Sequence, residues 1–354
     1  VAAEYITDVI PPAELTGYVR DLVDGDLPFA GLFPPRLVDD LEYEITNGDL
    51  RNAGEVARYR AWDTPAPIGT RPGIAVIKGE IPPLSWGYRL NEKERAQLAR
   101  ARAAVGAVSP ELERVVYRDA ERAAHAVQNR ITLAHGSILV TGTVVLTELG
   151  NVEAGNELVA EFPVPANQLG VTPSGAAWSN TGASVPVTDL IAWEAIYRAN
   201  NGGQNPQAWG ISSEIMGNLV LNAQIKTMAG GTSGVTPGII SPGTVQQVLS
   251  AAGVNAPLVV MFDVERPQMD VGTPARVVSN RKVIGVKAGM GETLYGPPPA
   301  ALDLAGRGEL QFATTPGIIA YMVGSIDPVW SKTTAEGLAL PVLTDPNGLF
   351  VATV

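Results

Sequence analysis

Between Leu112 and Ala134 apolar residues recur at spacings of three and four: Leu112, Val115, Val116, Ala120, Ala123, Val127, Ile131 and Ala134. That period predicts one long amphipathic helix. Ser109 suits its N-cap and Pro110 its first position. Glu111 and Glu113 favour the positive end of its dipole, and Gly136 is the expected stop. At 1.5 Å per residue such a helix spans roughly 39 Å. Its narrow, alanine-rich stripe suits close packing along its whole length. A shorter helix is expected from Asn91 to about Val105, opened by Asn91 with Glu94 three residues on. Further amphipathic helices are predicted over Thr188–Asn201, Ser212–Met228 and Gly243–Ala252.

Strand-like alternation marks Leu41, Tyr43 and Ile45, and again Val56–Trp62. A turn region with Pro65, Pro67, Gly69, Pro72 and Gly73 follows before Ile74–Ile77 resumes the pattern. This predicts a projecting hairpin, which is marginal alone in water and needs a partner surface. Strands are also expected at Ile138–Leu146, Leu158–Val164, Leu258–Asp263, Ile318–Val323 and Leu349–Val354. Arg276–Val278 and Val283–Val286 predict a hairpin turning at residues 279–282. Residues 1–50 show little sustained period and are punctuated by Pro11, Pro12, Pro28, Pro34 and Pro35. They predict an extended arm that needs another surface to lie on, since so long a structureless stretch is uncommon within a compact domain.

Composition agrees with much non-repetitive backbone. The 354 residues include 38 glycines and 28 prolines, but only 17% are charged and 45% are hydrophobic. Disorder and coiled coil are thereby excluded, and the length is ample for a sizeable core. The net charge is −11, which argues against tight wrapping of nucleic acid. Charge is unevenly spread. Residues 1–55 carry 12 acids and 3 bases, residues 56–130 carry 8 acids and 13 bases, and residues 131–354 carry 16 acids and 9 bases. An acidic segment followed by a basic one suggests docking within one chain or between copies. There is no cysteine, so neither disulfides nor thiolate metal sites can form. The first residues lack the basic start and apolar core of a signal peptide, and no apolar run is long enough to span a bilayer. A soluble, cytoplasmic chain is expected, its initiator Met removed or a longer leader cleaved.

No local catalytic signature is present. His125 and His135 lie ten residues apart on the long helix, too far along its axis to share a metal, and are expected to be partly exposed. There is no G-x-S-x-G elbow, no phosphate-binding G-x-x-x-x-G-K-[ST], and the glycines at 289, 291 and 296 do not space as G-x-G-x-x-G. Asp24–Gly25–Asp26 is too short for a calcium loop. The glycine-rich stretch 230–238 lacks a lysine and is expected to be a flexible loop. Nothing singles out a hydrolytic carboxylate pair among 36 acids. Trp62 and Trp86 flank the hairpin tip and Trp330 lies near the C-terminal strands, placing them either at interfaces or in ordinary packing.

Five stretches, in order, resemble the lambda-type phage major capsid protein E family, with the Hong Kong 97-like fold. They are LPFAGLFPPRLVDDLEYEI (27–45), RITLAHGSILVTGTVVL (130–146), VQQVLSAAGVNAPLVVMFDV (245–264), NRKVIGVKAG (280–289) with GETLYGPPPAALDL (291–304), and GLALPVLTDPNGLFVATV (337–354). The resemblance implies an α+β fold with an N-terminal arm (1–40), an extended hairpin loop (41–90), a peripheral domain with a spine helix (91–200, completed by 318–354) and an axial domain (201–317). It implies a structural protein, not an enzyme, with no catalytic, cofactor or metal residues to carry over. Copies would form hexamers and pentamers of an icosahedral virion shell around double-stranded DNA, assembled in the host cytoplasm without sequence-specific binding or membrane contact. Scaffolding, portal and decoration proteins are the implied partners. Some relatives crosslink a hairpin lysine to a neighbour's asparagine. Lys78 lies in the hairpin here, but no partner asparagine is identifiable and no crosslink is expected. The alternatives are a genome-free, encapsulin-like compartment shell and an acidic-site hydrolase. Two expectations follow from the charge split. The arm lies partly between copies, so removing residues 1–25 leaves a folded protein that forms no particles. The inner shell face is acidic or near neutral.

Overall fold

The computed structural model describes residues 4–5, 10–23, 27–47, 75–90, 92–94, 110–145, 159–231, 237–267, 274–308, 317–326 and 329–354. The chain forms two compact units. The first comprises Val1–Tyr43, Gly79–His135 and Glu292–Val342, and the second Glu44–Lys78, Gly136–Gly291 and Leu343–Val354.

The first unit is built on a six-stranded sheet in the order Glu4–Tyr5, Ile319–Ile326, Val329–Leu343, Gly291–Gly296, Pro35–Leu37, with Pro83–Leu90 also paired to Val329–Leu343. The Pro35–Leu37 edge pairs in parallel, Thr293 opposite Pro35, and a proline is tolerated there because an edge strand owes no ladder bond on its open side. Strand Ile319–Ile326 and the residue before it show the two-residue period that a sheet covered on both faces requires. Ile318, Ala320 and Met322 pack with Val116, Ala120, Ala123, Val127 and Ile131 of the long helix Pro110–Thr141. Ile319, Tyr321 and Val323 turn to Ala300, Ala301 and Leu304 of helix Pro299–Gly306.

The long helix begins at Pro110, as its sequence predicts, but it runs through Gly136 and ends only at Thr141. Gly136 is there for room: a Cβ at that position would lie 2.7 Å from the carbonyl oxygen of Val277. The stop is Gly142, at φ +71°, whose N–H bonds the Ile138 carbonyl at 2.8 Å. That is the left-handed cap glycine accommodates at no steric cost. The strand expected from Ile138 therefore shrinks to Thr143–Val145, paired with Val159–Glu161.

The second unit carries a four-stranded sheet in the order Phe350–Thr353, Lys282–Val286, Ala208–Ile211, Leu258–Val260. Helices Pro186–Asn200, Ser213–Leu221, Ala223–Gly230 and Pro242–Ala251 contribute Leu190, Ile215, Leu219, Ile225, Val245 and Leu249 to one core with it. At its centre Trp178 stacks on Trp193 with centroids 5.4 Å apart, and Trp209 meets Phe350 edge-on at 5.3 Å. The single helix expected over Ser212–Met228 is two. Asn222 breaks it, its Oδ1 accepting from Ile225 N–H at 3.1 Å while its amide donates to Ser184 Oγ at 2.9 Å. The hairpin expected between Arg276 and Val286 does not form. Pro274–Arg276 pairs back onto Glu265–Pro267, and Lys282–Val286 pairs with Phe350–Thr353 and Ala208–Ile211.

Candidate functional site

The groups most able to do chemistry are spent on structure. Asp189, 1% exposed, accepts from the Ser174 N–H (2.8 Å), the Ser174 hydroxyl (2.6 Å) and the Trp178 indole (2.9 Å). Glu194, one and a half turns further along the same helix, accepts from both nitrogens of Asn255 and from Ala256 N–H at 2.9–3.1 Å. Each carboxylate pins a loop against the helix, and its lone pairs are already taken. No group of three or more His, Asp or Glu side chains that could hold a metal ion exists among the described residues, and no described helix is long and apolar enough to cross a membrane.

His125 is half-buried, but His135 is fully buried, against the expectation of partial exposure. Its ring packs on Phe33 at 4.8 Å and Phe29 at 6.1 Å. The Thr293 hydroxyl donates to the Phe33 carbonyl at 3.1 Å, so it accepts from His135 Nε2–H at 2.8 Å. Burial holds the imidazole down at a pKa of about 3; the ring is neutral and works as a clamp, not as a proton carrier. Helical periodicity gave no sign of this, because Phe29, Phe33 and Thr293 reach His135 from distant parts of the chain.

The arm is the largest correction. Residues Pro12–Val23 are a helix, with proline at its first position, Glu14 in its first turn and Arg20 in its last. Leu15 and Val19 are fully buried against the long helix and the sheet. Glu14 accepts from the Tyr117 hydroxyl at 2.7 Å. The segment is thus part of its own chain's core, and its removal would uncover that core instead of leaving a folded remainder. It also guards the sheet. Glu4–Tyr5 pairs with Val323 and Gly324, while Thr16 and Arg20 bond the main chain of Ala320 and Ile318 along the same edge.

Of the expected hairpin region, Glu42–Asn47 pairs with Ala75–Glu80. The strand expected at Val56–Trp62 and the turn region at 65–73 lie outside the described residues, as do Ser109, most of the helix expected after Asn91, Asp24–Gly25–Asp26 and 232–236 of the glycine-rich loop. Lys78 is on the returning strand. Trp86 is half exposed on Pro83–Leu90, whereas Trp330 lies under the Arg89 guanidinium at 5.1 Å. Leu37 and Leu41 are exposed by 60% and 48% where the chain turns from the sheet edge to the hairpin. A shallow hollow of about 500 Å³ is lined by Gly182–Val185, Ala223, Gln224, Thr227 and Met228. It holds no carboxylate, imidazole or amine beside the Ser184 and Thr227 hydroxyls that would activate them.

The described residues form a mixed α+β subunit in which an N-terminal segment lies along the open edge of its own sheet. Residues 39–354 match the model of phage major capsid protein E, and the chain belongs to that family of structural shell proteins. No curated protein matches. A crystal structure described as a prophage capsid protein of E. coli CFT073 is 12% identical, with a TM-score of 0.57 and 100% of each chain covered, and establishes the fold as that of Hong Kong 97-like capsid proteins. The mature capsid of bacteriophage PhiM1 is 10% identical, with a TM-score of 0.45 over 92% of this chain and 86% of that one.

Proposed function

We propose that this chain is the main subunit of an icosahedral head shell, assembling as hexamers and pentamers around the double-stranded DNA of a tailed phage. The observation that carries the reading is the family match over residues 39–354. Residues 1–40 serve as the arm and 41–90 as the extended hairpin. The subunit performs no catalysis and carries no cofactor; Asp189 and Glu194, the most buried acids among the described residues of their unit, are committed to loop anchoring. Assembly takes place in the host cytoplasm with scaffolding and portal proteins. With a net charge of −11, the shell holds DNA by enclosure more than by adhesion. Mass spectrometry and ultraviolet absorbance of particles purified from infected cells test the content. Double-stranded DNA is expected; a protein cargo without nucleic acid would move the assignment to a compartment shell.

A further inference from the structure

Arg114, Arg118 and Arg122 stand four residues apart on the long helix and are all exposed. The stripe spans about 12 Å along the axis. It lies opposite the face formed by Val116, Ala120, Ala123 and Val127, which is buried in the unit's core. Among the described residues none of the three arginines has an ion-pair partner. Between residues 114 and 130 the helix carries four arginines against two acids, Asp119 and Glu121. Like charges four apart on a helix repel. Asp119, whose carboxyl feels Arg118 and Arg122, offsets part of this repulsion; the guanidinium groups nonetheless remain exposed and leave room for an anionic surface laid along them.

The same unit exposes such a surface. Asp39, Asp40 and Glu42 are exposed where the chain leaves the sheet edge for the hairpin. None of them has an ion-pair partner among the described residues. Leu37 and Leu41, exposed by 60% and 48%, are interleaved with them. Apolar side chains set among unpaired charges are the composition of a surface that is covered in an assembly. No ion pair joins the arginine stripe to the acidic patch within one chain among the described residues. We propose that the arginine stripe of one copy receives the Asp39–Glu42 patch of the next, in a head-to-tail contact that closes into a ring. The contact rests on the reading of the chain as a shell subunit, and it names the partner surface within that reading.

A charge-swap experiment tests it. Wild-type particles are first imaged, so that absence of any shell refutes the shell reading by itself and leaves the swap to report only on the interface. The variants are R114E/R118E/R122E, D39K/E42K and their combination, each checked by thermal melting against wild type. A milder R114Q/R118Q/R122Q set is included in case reversal impairs folding. Each single set is expected to lower the assembled fraction, measured by sedimentation, at least tenfold. The neutral set should lower it less, and the combination should restore it to within about twofold of wild type. Raising salt toward 1 M, where charges are screened beyond about 3 Å, should slow wild-type assembly. Normal assembly of both single sets, or no recovery in the folded combination, overturns the contact. So does loss of DNA retention alone, with empty shells still forming, because the stripe's partner would then be nucleic acid.

Discussion

The hydroxyl of Thr16 accepts a hydrogen bond from the N–H of Ala320 at 3.1 Å and donates one to the carbonyl of the same residue at 3.2 Å. One side chain thus fills the place of a neighbouring strand at an open sheet edge, the position where unguarded sheets pair with other chains.

Thr16→Val keeps shape but leaves both main-chain groups of Ala320 buried and unpaired. A loss of about 1–3 kcal/mol is expected, seen as a lower melting temperature, together with irregular oligomers in light scattering. Thr16→Ser should behave as wild type. A silent valine variant would show that the edge needs no guard.

The His135 clamp makes stability depend on pH. Burial lowers the folded pKa to about 3 from an ordinary value of 6.5, so between these values the unfolded chain binds the proton more readily. The stability is fully present above about 6.5 and is lost as pH falls toward 3. From pH 7.5 to 4.5 a decline of about 2–3 kcal/mol is expected from this residue. Urea titrations of wild type and His135→Leu at both pH values should show a shallower pH dependence in the variant. Equal slopes would mean that the ring titrates normally.

Gly136→Ala separates two effects of opposite sign. In an open helix the change would stabilise by about 1 kcal/mol. Here the new Cβ meets the Val277 carbonyl at 2.7 Å, so a loss of about 1–3 kcal/mol is expected instead. Calorimetry gives the sign directly, and a raised melting temperature would contradict the packing.

Much of the fold is legible in periodicity. The long helix from Pro110, the helices near 186–200 and 242–251, the hairpin strands and the C-terminal strand all follow it. The failures have physical causes. Gly136 and Gly142 look alike as stop signals, and only the neighbouring Val277 shows that the first serves close approach. The arm helix has Leu15 and Val19 at helical spacing, but Thr16 and Gly17 between them lower helix propensity. The longest strand, Val329–Leu343, was not expected at all. Ser331, Thr333 and Ala335 are small or polar, yet they are buried in a strand paired on both sides, with Ile319–Ile326 and Pro83–Leu90. The pairings of Lys282–Val286 with Phe350–Thr353 and of His135 with Thr293 are set by distant segments, to which local pattern is blind. The arginine stripe was legible only as a basic segment until the opposite helix face was seen to be buried.

Glu194→Ala would leave the N–H groups of Asn255 and Ala256, and the Asn255 amide, without their acceptor. A loss of about 3 kcal/mol or more is expected, with hydrogen exchange rising first at 253–257. An unchanged protein with altered hydrolytic activity would return Glu194 to chemistry.

Closed-shell formation by the purified chain is the most direct test of the shell assignment, and negative-stain electron microscopy reads it. Uniform closed particles are predicted, with subunits that stay folded when the shells are dissociated. A chain that remains a folded monomer at high concentration, with and without scaffolding protein, would contradict the assignment.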